Sequence, residues 1–158
     1  VAPTILVILD RSGSQGTAAS RNISRYNRIL SSWQAKSDLA AFHLTLFSTD
    51  GIERRYRGRE IDTVPRLTTA TFRPGGGTDL YDVVALEIRR LRSSDPVGRV
   101  TVVIITDGKD TASTTETRRS VADLIDVMKR RYGWSFDYAG ATLATMRSAS
   151  AEVAGSVR

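Results

Sequence analysis

Three short segments of the chain carry the side chains best suited to chemistry: Asp10-Arg11-Ser12-Gly13-Ser14, Gly75-Gly76-Gly77-Thr78-Asp79 and Thr106-Asp107-Gly108. Asp10, Ser12, Ser14, Thr78 and Asp107 are hard oxygen donors. Mg²⁺ prefers such donors in octahedral geometry and commonly keeps several waters, so three hydroxyls, two carboxylates and water suit it, and Mn²⁺ fits as well. Alternation along Asp10, Ser12 and Ser14 lets three side chains of one short loop converge, while Gly13 and the glycine run let backbone approach closely. Each segment alone has a plainer reading. Asp-x-Ser-x-Ser can be a turn and helix cap, Asp107-Gly108 can end a strand, and three glycines before Thr78 can be a flexible entry to an N-cap.

The elements that must position these segments follow from hydrophobic periodicity. Thr4 to Leu9 is an unbroken apolar run ending at Asp10, the pattern of a strand buried on both faces of a parallel sheet. Ile23, Tyr26, Ile29, Leu30 and Trp33 have the spacing of a helix with one buried stripe. Phe42, Leu44 and Leu46 alternate with His43, Thr45 and Phe47, and Asp50-Gly51 predicts a hairpin turn into a second extended segment, Ile52 to Arg57. A long loop is expected over residues 59–77, which hold Pro65 and Pro74. Leu80, Val84, Ile88 and Leu91 then share a helical face. Val100 to Thr106 repeats the first strand's pattern and ends at Asp107. Ser113 and Glu116 predict a capping box before a helix carrying Val121, Leu124, Ile125 and Met128. Trp134 to Tyr138 is a fifth strand and Thr142 to Val157 a last helix.

Strands alternating with helices predict an α/β fold: a Rossmann-like, doubly wound, mostly parallel central sheet with an antiparallel edge strand and helices on both faces. Ligands of such sheets bind beyond the carboxyl ends of the strands. All three oxygen-bearing segments fall on that rim, which turns three weak signals into one candidate cation site.

Composition bounds the rest. The 158 residues suffice for one domain, burying roughly 70% of the surface its unfolded chain exposes. No apolar run reaches the roughly 18 residues of a membrane span, and Val1 to Asp10 lacks the basic start of a signal peptide, so a cytoplasmic protein without a membrane span is expected. The absence of cysteine excludes disulfides, thiolate metal sites and a Cys nucleophile. Lys and Arg number 23 against 17 Asp and Glu, for a formal charge of +6. That excess invites an acidic partner. Nucleic acid is one candidate, since Arg54, Arg55, Arg57 and Arg59 bracket Tyr56, but the same stretch suits the outer face of an edge strand. Arg11, Arg73 and Lys109 are expected near the cation, either recruiting an acidic partner or merely solvated. Asp79, Asp82 and Asp110 could add carboxylates, though nothing requires them to. The lone His43 alternates with apolar residues and is expected to be structural, and Trp33 and Trp134 are expected in the core.

Asp10-Arg11-Ser12-Gly13-Ser14 resembles the Asp-x-Ser-x-Ser motif of von Willebrand factor A domains. Thr78 in Gly-Gly-Gly-Thr-Asp-Leu-Tyr-Asp is similar to their isolated threonine, and Asp107 in Ile-Ile-Thr-Asp-Gly to their last aspartate. The resemblance runs from about Ile5 to Ala141 and is nearest to bacterial stand-alone members, through the Tyr26-Asn27 pair and Tyr132-Gly133-Trp134 leading to Tyr138-Ala139-Gly140-Ala141. It departs at Gln15, where bacterial relatives often have Met, and in ending before the family's sixth strand and closing helix. It therefore implies a single domain over residues 1–158, either minimal at that end or cut there.

The resemblance also implies a function. In the family these residues form a metal-ion-dependent adhesion site, whose serines and threonine contact the metal while the aspartates act directly or through water. A partner's Asp or Glu carboxylate often completes the shell, so the implied activity is protein binding without catalysis. Membership of a larger ATPase-associated, stress-resistance or RNA-binding assembly is an alternative. A phosphoryl-transfer hydrolase or metal nuclease is a further one, but such sites usually gather three or more acidic ligands or a second carboxylate two residues after the first, where this chain has Ser12. The chain also has no Gly-x-x-x-x-Gly-Lys loop and no His pair.

Overall fold

The computed structural model describes residues 2–13, 17–36, 39–106 and 110–139. In chain order these form β1 (Thr4–Asp10), α1 (Thr17–Lys36), β2 (Ala41–Ser48), β3 (Gly51–Glu60), α2 (Leu80–Ser93), β4 (Val100–Ile105), α3 (Arg118–Tyr132) and β5 (Ser135–Ala139), with one turn of 3₁₀ helix at Ile61–Thr63. The strands make one sheet in the order β3-β2-β1-β4-β5. β1 is parallel to β2 and β4, β5 is parallel to β4, and β3 alone is antiparallel. The molecule is thus a mixed α/β structure around a mostly parallel sheet.

The period-2 alternation of β1 divides the core. Ile5, Val7 and Leu9 face a cluster with Tyr26 and Leu30 of α1 and Phe42, Leu44 and Leu46 of β2. Leu6 and Ile8 face the opposite cluster, which holds Leu80, Val84 and Ile88 of α2 and Val121, Ile125 and Met128 of α3. Every residue of β1 is buried, as its uninterrupted apolar run implies for a central parallel strand. Each such Leu or Ile contributes about 1.5–3 kcal/mol by leaving water. Trp134 is buried in the core, while Trp33 packs at the edge of the α1 cluster under the Lys36 ammonium.

β3 is the solvated edge strand, and its four arginines make that edge a poor template for further pairing. It runs to Glu60, further than the apolar pattern indicates, because backbone pairing to β2 continues past the last alternating residue with shifts of register at Phe42/His43 and Leu44/Thr45. The capping box of α3 also differs from expectation: it is Thr117 with Ser120, not Ser113 with Glu116. Ser113 is drawn away because its hydroxyl accepts from the Asp82 amide and donates to the Asp110 carboxylate. α3 ends at Gly133, whose φ of 70° is the left-handed cap conformation that glycine adopts at no steric cost. The last helix expected over Thr142 to Val157 lies outside the described residues.

Candidate metal centre

Asp10 is the last residue of β1, and with 1% exposure its carboxylate is buried. Its Oδ1 accepts from the Ser12 amide at 2.7 Å and its Oδ2 from the Thr106 hydroxyl at 2.6 Å. The Asn22 side-chain amide of α1 donates to the Asp10 carbonyl at 3.2 Å, fixing the point where strand gives way to loop. Ser12 Oγ lies 2.6 Å from Thr78 Oγ1, so two residues 66 positions apart meet through their hydroxyls. Asp10, Ser12 and Thr78 are therefore tied into one rim. Ser14, Asp107 and Lys109 lie outside the described residues.

Backbone bonds hold the glycine-rich segment across this rim. Gly13 donates to Gly76 at 3.0 Å, Gly75 to Arg11 at 2.8 Å and Thr49 to Gly77 at 3.0 Å. The turn between β2 and β3 closes it from the other side, where Thr49 Oγ1 accepts from the Gly77 amide at 2.7 Å. Gly76 has φ of 78°, and a Cβ there would sit 3.0 Å from Asp50 and Thr49 side-chain atoms. The glycine run is therefore a close-packed crossing whose conformation a side chain would strain. Thr78 is anchored on its far side, its carbonyl accepting from the Thr111 and Ala112 amides.

The nearby carboxylates divide by occupation. Asp82 accepts from the Thr114, Thr115 and Glu116 amides, and Asp110 from those of Tyr81, Ala112 and Ser113. Those two organise the loop that leads into α3. Asp79 is different: its Oδ1 is buried without a hydrogen-bond partner. Desolvation by burial pushes the Asp79 pKa up, with the charges of Asp82, Asp110 and Asp10 adding to the rise and its own backbone amide opposing it. Asp82, Asp110 and Asp10 thus stand near enough to Asp79 for their negative charges to be felt there.

The donor chemistry fits a hard cation. A buried ionised carboxylate is costly unless paired, and among the described residues Asp10 has hydrogen-bond donors but no cationic partner. A divalent ion would supply the missing charge. Among the described residues no three of His, Asp and Glu gather closely enough to hold a metal by themselves, so the described part of the rim offers a cation one carboxylate, Asp10, and the hydroxyls of Ser12 and Thr78.

Arg11 points away along the β3 edge, 3.4 Å from the Gly51 carbonyl and 3.8 Å from Glu53. Arg73 is exposed and lines a cleft beside the rim. Thr106 and Asn22 were not singled out by type and spacing as binding residues. Asn22 carries a readable signal, since it stands one helical turn before buried Tyr26 on the apolar stripe of α1. Thr106 carries none, because it ends a β-branched run as any core strand residue could.

No helix among the described residues is long and apolar enough to cross a membrane. No protein-family model matches the chain, and no curated protein matches it significantly. It is similar to the crystal structure of an uncharacterized membrane spanning protein from Vibrio fischeri, at 15% identity over 89% of this chain and 71% of that one, with a TM-score of 0.39. That likeness is too loose to carry an argument about fold or function.

Proposed function

We propose that the chain is a von Willebrand factor A-type domain, a doubly wound α/β fold that holds one Mg²⁺ or Mn²⁺ at the rim and uses it to bind a protein partner. The observation that carries this reading is the buried Asp10 carboxylate with no cation among its described neighbours, set beside the Ser12–Thr78 hydroxyl pair. The strand order, with one antiparallel edge strand and α1 opposite α2 and α3, supports it.

Asp10, Ser12 and Thr78 would hold the ion together with Ser14 and Asp107. The ion supplies positive charge that so few direct carboxylates leave under-neutralised, and thereby attracts an Asp or Glu of the partner. The chain's own residues do the positioning. The Ser12 amide and Thr106 hydroxyl orient Asp10, and the Gly75–Gly77 crossing brings Thr78 to Ser12. This is recognition without bond-making, and a cytoplasmic setting is part of the proposal.

The test is isothermal titration of Mg²⁺ and Mn²⁺ into chelator-treated protein. Wild type is expected to bind about one ion, and folded Asp10→Ala and Asp107→Ala variants none. A folded wild type that binds no ion at millimolar concentration would overturn the reading.

A further inference from the structure

Beside the rim, between β3 and the loop of residues 64–73, lies a cleft of about 320 Å³. Its floor is apolar, with Leu46 and Leu67 buried beneath it. Its walls carry four arginines, Arg11, Arg55, Arg66 and Arg73, against one acidic residue, Glu53. Cleft and rim are one surface, because Arg11 stands between Asp10 and Ser12 and its carbonyl is held at 2.8 Å by Gly75, two residues after Arg73.

The four guanidiniums are not equivalent. Arg55 binds both oxygens of Glu53, at 2.7 and 3.3 Å, and the Thr71 carbonyl at 2.6 Å. Arg11 shares the same carboxylate at 3.8 Å. The hydrogen bond from Arg55 holds the Glu53 carboxyl below its ordinary pKa against the opposing effect of burial, with the charges of Arg55 and Arg11 helping. Arg66 and Arg73 are exposed and have no ion-pair partner among the described residues. One internal carboxylate therefore satisfies half of the array and leaves the other half open. A guanidinium fork matches a carboxylate through two parallel hydrogen bonds.

We infer that this cleft is a second carboxylate subsite, in which Arg66 and Arg73 take an acidic side chain of a polypeptide whose neighbouring acidic residue is directed at the cation rim. The inference rests on the proposed function for the second carboxylate only. Glu53 acts in the free protein as an internal competitor for Arg11 and Arg55. A polypeptide fits better than single-stranded nucleic acid, whose sites combine a basic groove with aromatic faces on which bases stack. Tyr56, the aromatic residue lining the cleft, is already engaged by Arg59, 5.1 Å from its ring centroid, and by Phe42 at 6.4 Å.

The test is fluorescence anisotropy of a labelled hexaglutamate peptide, in Mg²⁺ and in chelator, with hexauridylate as the nucleic-acid comparison. The Arg66→Ala/Arg73→Ala double variant should bind hexaglutamate about tenfold more weakly than wild type in both buffers. Glu53→Gln should bind it several-fold more tightly. These changes lie on exposed or half-exposed side chains and move affinity in opposite directions, which loss of folding cannot imitate. Equal binding by wild type and double variant, with Mg²⁺ dependence intact, overturns the subsite and leaves the rim reading standing. Loss of the Mg²⁺ effect with the double variant still weakened overturns the rim reading and supports the subsite. Failure of Glu53→Gln to tighten binding overturns the competitor role and the subsite with it. Tighter binding of hexauridylate than of hexaglutamate, lost in the same double variant, overturns the polypeptide in favour of nucleic acid.

Discussion

Asp10 and Glu87 are both buried carboxylates, at 1% and 3% exposure, and the protein treats them in opposite ways. Glu87, on α2, is enclosed by cations: Arg54 reaches both its oxygens at 2.9 to 3.2 Å, Arg90 stands at 3.7 Å, and the Thr45 hydroxyl donates at 2.5 Å. Asp10 receives an amide and a hydroxyl and, among the described residues, no positive charge. The first arrangement is complete within the chain. On the proposed reading the second is arranged for a charge that comes from outside, and the contrast would then separate a structural carboxylate from a binding one more sharply than burial does.

The comparison breaks most visibly at Glu87. Replacing it with Ala strands the Arg54 guanidinium and the Thr45 hydroxyl, and should cost about 3 kcal/mol, the low end for a broken buried pair because Arg54 is partly exposed. Urea denaturation measures this, and a loss under about 1 kcal/mol would mean that the cluster is not the completed partner of the contrast.

A smaller effect sharpens the same cluster. His43 lies in a small cavity with Glu87 and Arg90. Its pKa is lowered from 6.5, first by burial and then by Arg90, with Glu87 opposing. The unfolded chain therefore takes up a proton more readily than the folded one. Stability is fully present above pH 6.5 and is lost as pH falls from there through the lower folded value. His43→Gln has no charge to gain and should show a flatter stability curve across that window, read from urea midpoints at a series of pH values. Identical curves would remove His43 from the charge balance of the Glu87 cluster.

The two regions were unequally legible in the sequence. The meeting of Asp10, Ser12 and Thr78 could be read because its signals are local: an apolar run that stops at Asp10, and glycines beside Thr78. The sheet was readable for the same reason, as β1 and β4 are uninterrupted buried runs. The Glu87 cluster was invisible, because it joins β2, β3 and α2 through side chains whose spacing carries no pattern. The start of α3 at Arg118 is not legible locally, because Ser113 and Glu116 fit a capping box by sequence while tertiary partners claim both: Asp82 and Asp110 take Ser113, and Arg89 meets Glu116 at 3.4 Å. Local propensity yields to long-range hydrogen bonding at such positions. Glu53 and the open pair Arg66 and Arg73 were hidden in an arginine-rich stretch that composition alone cannot sort into bound and unbound.

The most direct test of the idea that Asp10 awaits a cation is the stability of wild type and Asp10→Asn, each measured in chelator and in saturating Mg²⁺. Asn keeps an acceptor for the Ser12 amide, and the Thr106 hydroxyl can turn to accept instead of donate. In chelator the variant should match or exceed wild type, since it removes a buried charge that has no cationic partner among the described residues. In Mg²⁺ at about one hundred times its dissociation constant, wild type should gain about 2.7 kcal/mol and the variant nothing, so that the order reverses. A variant clearly less stable than wild type in chelator, with neither protein responding to Mg²⁺, would show that Asp10 is a structural carboxylate like Glu87.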